Sequence, residues 1–119
     1  MGKVDYELKQ QGKKSYLEEN FEDVIRCSSE AITMNQSDPS LYGLRSRAYC
    51  KLQKYSEALV DVTKMLELRP YDYKGYLIQG SCQVHLANYE SAIESYAKVL
   101  HQQSIGINVL GFTSTTKCC

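Results

Sequence analysis

The sequence predicts an all-α fold, a superhelical solenoid of three stacked helix–turn–helix repeats, on three observations. One pattern recurs three times in unbroken phase and without insertion, over 5–38, 39–72 and 73–106. Within each repeat, apolar and small residues fall at i, i+3, i+4 and i+7, the spacing of a helix with one buried face. Helix-restart signals mark the joints: Asp38-Pro39 before the second repeat, and Arg69-Pro70 followed by Asp72 before the third. Residues 5–106 therefore read as one repeat domain. Residues 107–119, INVLGFTSTTKCC, lack helical periodicity and are expected to be an irregular or disordered tail.

The first helix is expected over 5–19, with Leu8, Gly12 and Ser15 on one face. Glycine inside a helix costs about 1 kcal/mol against alanine, so Gly12 suits a place where a second helix approaches closely. Asn20 is an N-cap candidate, and Asp23 three residues on completes a capping-box-like pair. The second helix follows over about 21–34, with Phe21, Val24, Ile25, Ser28, Ala31 and Ile32 inward.

Asp38 caps the third helix and Pro39 fits its first position, where a missing N–H costs nothing. That helix runs over about 39–52 and buries Leu41, Tyr42 and Tyr49. The fourth, over about 55–68, buries Tyr55, Ala58, Leu59, Val62, Met65 and Leu66. Asp72 caps the fifth, over about 73–86. The sixth, over about 89–100, repeats the inward pattern with Tyr89, Ala92, Ile93, Tyr96, Val99 and Leu100. Short connections make these helices antiparallel neighbours, and stacking the pairs creates one continuous core.

Several function classes are disfavoured. Zero formal net charge gives no global reason to expect nucleic acid or an anionic membrane as partner. No apolar run approaches the roughly 18 residues of a membrane span. The start, MGKVDYELKQQ, lacks a signal peptide's apolar core, and Tyr6 stands where an N-myristoylation signal prefers Ser or Thr. Five cysteines, an odd number with no Cys-x-x-Cys, suit a reduced cytoplasmic or nuclear setting. His85 and His101 are too isolated to define a metal site, and no nucleophile–base arrangement can be read. No metal, cofactor or catalytic residue is expected, and Cys27, Cys50 and Cys82 read as packing residues.

The pattern and its period resemble those of the tetratricopeptide repeat (TPR) family. The middle repeat carries the resemblance with Tyr42, Ser46, Tyr49, Tyr55, Ala58, Val62, Met65 and Pro70. The third matches with Tyr76, Gly80, Tyr89, Ala92, Tyr96 and Val99, and departs at Gln83 and Ser104. The first matches with Leu8, Gly12, Phe21 and Ala31, and departs at Val24 and Gln36. The resemblance implies a non-catalytic adaptor whose first helix in each pair lines a concave groove for an extended peptide. Carried over, the groove lining is Tyr6, Lys9, Lys13 and Tyr16, then Gly43, Leu44, Arg47 and Cys50, then Lys74, Leu77, Ile78, Ser81 and His85.

Charge is distributed unevenly. Within their caps the third and fifth helices carry Arg45, Arg47, Lys51 and Lys74 and no acid, whereas most acids lie on the second, fourth and sixth. A cationic groove favours an acidic peptide or a terminal carboxylate. Within the family, LKQQGKKSY and LYGLRSRAY look like the segments that clamp the C-terminal carboxylates of heat-shock chaperones. The five clamp positions fall on Lys9, Lys13, Leu44, Lys74 and Ile78. Lys9 and Lys74 agree in type and Lys13 keeps a donor, but Leu44 and Ile78 replace donors with apolar groups. At about 1.5–3 kcal/mol per hydrogen bond to a charged group, two lost donors weaken such a ligand on the order of a hundredfold. Arg47, one turn from Leu44, compensates in part. The resemblance thus implies a co-chaperone-like groove retuned toward a more apolar peptide, with Leu44, Leu77 and Ile78 as apolar contacts and Lys9, Lys13 and Lys74 as anchors.

The end pair Cys118-Cys119 resembles the doubly prenylated ends of Rab-type GTPases, whose modification depends on a GTPase fold that this sequence lacks. Free thiols are the favoured reading and lipidation, with membrane attachment, the alternative. The alternative to the adaptor as a whole is an assembly module that self-associates or docks through uncapped end repeats.

Overall fold

The computed structural model describes residues 2–109, with side chains from Val4 to Gln102. Six helices follow in order: α1 (Gly2–Leu17), α2 (Phe21–Met34), α3 (Pro39–Lys51), α4 (Tyr55–Leu68), α5 (Tyr73–His85) and α6 (Tyr89–Val109). There is no strand among the described residues. Each helix packs on its chain neighbour, and the first helices of successive repeats also touch, α1 on α3 and α3 on α5.

The joints recur with the repeat. Glu19, Gln53 and Ala87 have φ of 61°, 62° and 63°, left-handed values at the equivalent position of all three repeats. Around each, two backbone bonds close the preceding helix: Asn20 N donates to Ser15 O and Glu19 N to Tyr16 O, with Lys54 and Gln53, then Asn88 and Ala87, repeating the pair. This is the Schellman C-terminus, in which a left-handed residue returns two amides to the last turn. It ends α1 at Leu17, two residues short of the amphipathic stretch, because Glu19 has left the helix.

Between repeats the device is different. The Asp38 and Asp72 carboxylates accept from Ser40 N at 3.0 Å and Lys74 N at 3.1 Å, capping α3 and α5. The Tyr42 hydroxyl donates to Gln36 O at 3.0 Å, and Tyr76 donates to Pro70 O at 2.8 Å. Each tyrosine ties its own helix to the loop that delivers it. At α2 the capping-box expectation is half met: Asn20 accepts from Asp23 N, but the Asp23 carboxylate turns to Ser15 and Arg26 instead.

Val24, Cys27, Ala31, Leu41, Ala48, Ala58, Val62 and Cys82 are all essentially inaccessible, and the core gathers in two clusters, one around Val24, Leu44 and Ala48 and one around Tyr42, Val62 and Met65. Gly12 does permit close approach: a Cβ there would stand 3.1 Å from Leu44 Cδ2. Tyr49, expected to be buried, is half-buried. Buried inside the α3–α4 contact is an ion pair that the charge pattern does not suggest. Asp61, 3% exposed, accepts from Arg45 Nε and Nη2 at 2.7 Å each, and Arg45 Nη1 donates to Ser29 on α2 at 3.0 Å.

The third repeat departs from expectation. α6 runs to Val109 instead of stopping near Leu100, so residues 107–109 are helical rather than irregular. Ile93 and Leu100, inward by the repeat pattern, are 67% and 66% exposed, and Tyr89 is exposed with them. Their counterparts one repeat earlier, Leu59, Leu66 and Tyr55, are buried or half-buried on the side where α5 packs. The rest of the expected tail, 110–119 with Cys118 and Cys119, lies outside the described residues.

Candidate functional site

A cavity of about 420 Å³ opens among the first helices of the three repeats. Lys13, Tyr16 and Leu17 bring it the last two turns of α1. Ser40, Gly43, Leu44 and Arg47 bring it one face of α3. Met65 and Arg69 reach it from the end of α4, and Asp72 and Lys74 from the cap and first turn of α5. Its floor is apolar and its rim is cationic.

The floor follows from two glycines. Leu44 lies over Gly12, in the core cluster with Val24 and Ala48, and is 8% exposed. It fills the crevice between α1 and α3 as a packed surface. At Gly43 a Cβ would meet Met65 Sδ at 3.1 Å and Arg47 Nη1 at 3.6 Å. The missing side chain therefore lets Met65 form floor and lets the Arg47 guanidinium lie back along α3.

The rim holds four cations, Lys13, Arg47, Arg69 and Lys74, against one carboxylate, Asp72. That carboxylate is already engaged: it caps α5 and stands 3.8 Å from Arg69 Nη1. The rim therefore presents an excess of positive charge around apolar surface. Such a site can take an extended anionic chain with an apolar side chain between its charges.

Of the seven residues selected from the sequence, Lys13, Leu44, Arg47 and Lys74 line this cavity. Lys9, Leu77 and Ile78 do not. Lys9 Nζ donates to Asp38 at 2.9 Å, both side chains being partly buried. Burial alone would push the Asp38 carboxyl up, but hydrogen bonds from Ser40 and Lys9 outweigh it and hold the group below the ordinary carboxylate range. Ile78 packs on the cluster of Tyr42, Val62 and Met65, behind the floor. Leu77 is 42% exposed and is not part of the cavity lining.

Other groove expectations also shift. Arg45 is turned to Asp61 and away from the rim. His85 stacks on Tyr55 with ring centroids 4.1 Å apart. Leu17, Ser40, Met65, Arg69 and Asp72 join the lining without having been selected from the sequence. Arg69 carries a readable signal, a basic residue in the Arg-Pro joint, but pattern alone reads that joint only as a helix stop.

No protein-family model matches the chain. Residue-level similarity is nevertheless clear. Over 94 residues, 79% of this chain, it is 36% identical to Hsp70-Hsp90 organizing protein 2 of Arabidopsis thaliana, and it spans 16% of that protein's length. It is 33% identical over 94 residues to serine/threonine-protein phosphatase 5 of Homo sapiens, of which it spans 19%. Among solved structures, the second TPR of Spaghetti (RPAP3) bound to the HSP90 peptide SRMEEVD superposes with a TM-score of 0.80 at 27% identity, over 82% of this chain and 90% of that one.

Proposed function

The chain belongs to the tetratricopeptide repeat family, and we propose that it is a non-catalytic adaptor that holds the acidic C-terminal peptide of a heat-shock chaperone in its groove. One observation carries this reading: four cations from three successive repeats converge on one apolar-floored cavity. A peptide ending in acidic residues around an apolar one meets each part of that lining. Lys13, Arg47, Arg69 and Lys74 pair with its carboxylates, and Leu44 with Met65 receives its apolar side chain. The relative bound to SRMEEVD supports this ligand class. The absence of a donor at Leu44 and Ile78 makes the apolar contact a larger share of the affinity. A cytoplasmic location fits such a partner.

The test is an anisotropy titration with labelled SRMEEVD and with the same peptide amidated at its C-terminus. The free acid binds more tightly, and the difference shrinks as salt is raised. Equal binding of the two forms would remove the terminal carboxylate from the interaction.

The assembly reading also has an observation in its favour, the exposed row of Tyr89, Ile93 and Leu100 on α6. If that row docks a second copy, light scattering gives a mass that rises with concentration and that Ile93→Glu holds at the monomer. A monomer at all concentrations contradicts it.

A further inference from the structure

Cys50 on α3 and Cys82 on α5 face each other, Sγ to Sγ, at 3.5 Å. The third described cysteine is elsewhere: Cys27 is buried beside Asp23 and Arg26. The pair joins the second repeat to the third through the first-helix layer, where α3 touches α5. Its two members differ in access. Cys50 is half-buried, whereas Cys82 is fully buried.

We propose that Cys50 and Cys82 are an oxidative modification site, a dithiol that a hydroperoxide converts to a disulfide locking the third repeat onto the second. Geometry favours it over reaction with an outside thiol. The sulfurs must close by roughly 1.5 Å to reach the disulfide length of about 2.05 Å, which side-chain rotation and a small helix shift supply. No path through solvent is needed.

The order of events follows from access. Cys50, in contact with solvent, attacks one oxygen of the peroxide. The O–O bond breaks, Cys50 becomes a sulfenic acid, and the other oxygen leaves as water or an alcohol. The Cys82 sulfur then attacks the Cys50 sulfur and expels the sulfenic oxygen as water. Two thiols lose two electrons and the peroxide gains two. The chemistry of the pair agrees with these roles. Contact with Cys82 lowers the Cys50 thiol from its ordinary range despite burial, with Arg47 and Lys51 assisting. The same contact and burial push the Cys82 thiol up. The reactive thiolate therefore belongs to the accessible partner.

The consequence falls on the third repeat. Its α5 makes the contacts to α3 and α4 while the outward row of α6 is exposed, so opening of the third repeat means parting α5 from the second. A cross-link from α3 to α5 opposes that opening.

The test uses the full chain, treated with hydrogen peroxide, alkylated and digested with trypsin. The expected product joins peptide 48–51 to peptide 75–98, and dithiothreitol separates them. Amide exchange in α5 and α6 slows in the oxidised protein, with α1 unchanged, and the slowing is lost in Cys50→Ser and in Cys82→Ala. Peroxide that leaves Cys82 alkylatable, or that links Cys50 only to another chain, overturns the proposal. So does a 48–51 to 75–98 link that leaves exchange in α5 and α6 unaltered. None of these readouts depends on peptide binding.

Discussion

Lys9 Nζ donates to the Asp38 carboxylate at 2.9 Å, so the first repeat's best-matched clamp lysine is paired with the residue that caps the second repeat's first helix. The pair ties α1 to the start of α3 and already occupies the charge that a ligand would use. An incoming carboxylate would have to displace Asp38.

Lys9→Ala is therefore expected to act on stability more than on binding. It removes a partly buried ion pair, worth about 1 kcal/mol, and lowers the urea midpoint accordingly. Its effect on the affinity for an acidic peptide is smaller than that of Lys74→Ala. A larger binding loss for Lys9→Ala would show that Lys9 leaves Asp38 when ligand arrives.

The Arg45–Asp61 pair is expected to be the costliest polar contact to break. Asp61 is buried and accepts a two-point guanidinium fork, so Asp61→Ala leaves a charged Arg45 without its partner. The expected loss is about 3 kcal/mol or more in denaturant unfolding. Removing both partners costs less than the sum of the single changes, which a double-mutant cycle measures.

At the joint between α3 and α4, Gln53→Gly is expected to stabilise the protein. Gln53 holds φ of 62° in a Schellman end, where a side chain is strained and glycine is not. Relief of roughly 1 kcal/mol outweighs the added freedom of the unfolded chain, of about 0.5 kcal/mol. A lower urea midpoint for Gln53→Gly would contradict this description of the turn.

Acid is expected to weaken the fold through Asp23. Its carboxyl is held down to about 2 by the Ser15 hydroxyl and the Arg26 guanidinium. An unfolded aspartate titrates at about 3.9, so on acidification the unfolded chain takes up its proton first. The stabilisation is complete above the unfolded value and is lost as pH falls toward about 2. Asp23→Asn flattens the pH dependence of the urea midpoint in that window. An unchanged slope would assign the acid sensitivity to other carboxylates.

Helix existence and most helix starts are legible in the sequence because each joint carries a residue with a mechanical role: Asp38 and Asp72 cap, Pro39 opens, Pro70 stops. The ends of α1, α3 and α5 are less legible, since Glu19, Gln53 and Ala87 adopt a glycine-like φ without being glycine. Periodicity places Ile93 and Leu100 inward because they repeat Leu59 and Leu66. It reports a helix face and cannot say whether a further helix covers it. The site is half legible. Charges can be assigned by helix, but Lys9 and Arg45 are claimed by partners 29 and 16 residues away, pairings that local pattern does not encode. Arg69 enters the rim only because α4 ends beside the start of α5.

If cations from different repeats hold one acidic peptide, removing them one at a time and together must lower its affinity in steps. The experiment is a titration of labelled SRMEEVD with the wild type, Arg47→Ala, Lys74→Ala and the double variant. Each single change is expected to weaken binding about tenfold, the effect of one lost charge-assisted hydrogen bond. The double variant weakens it further. Wild type and double variant binding with the same affinity would contradict a cationic groove as the peptide's site.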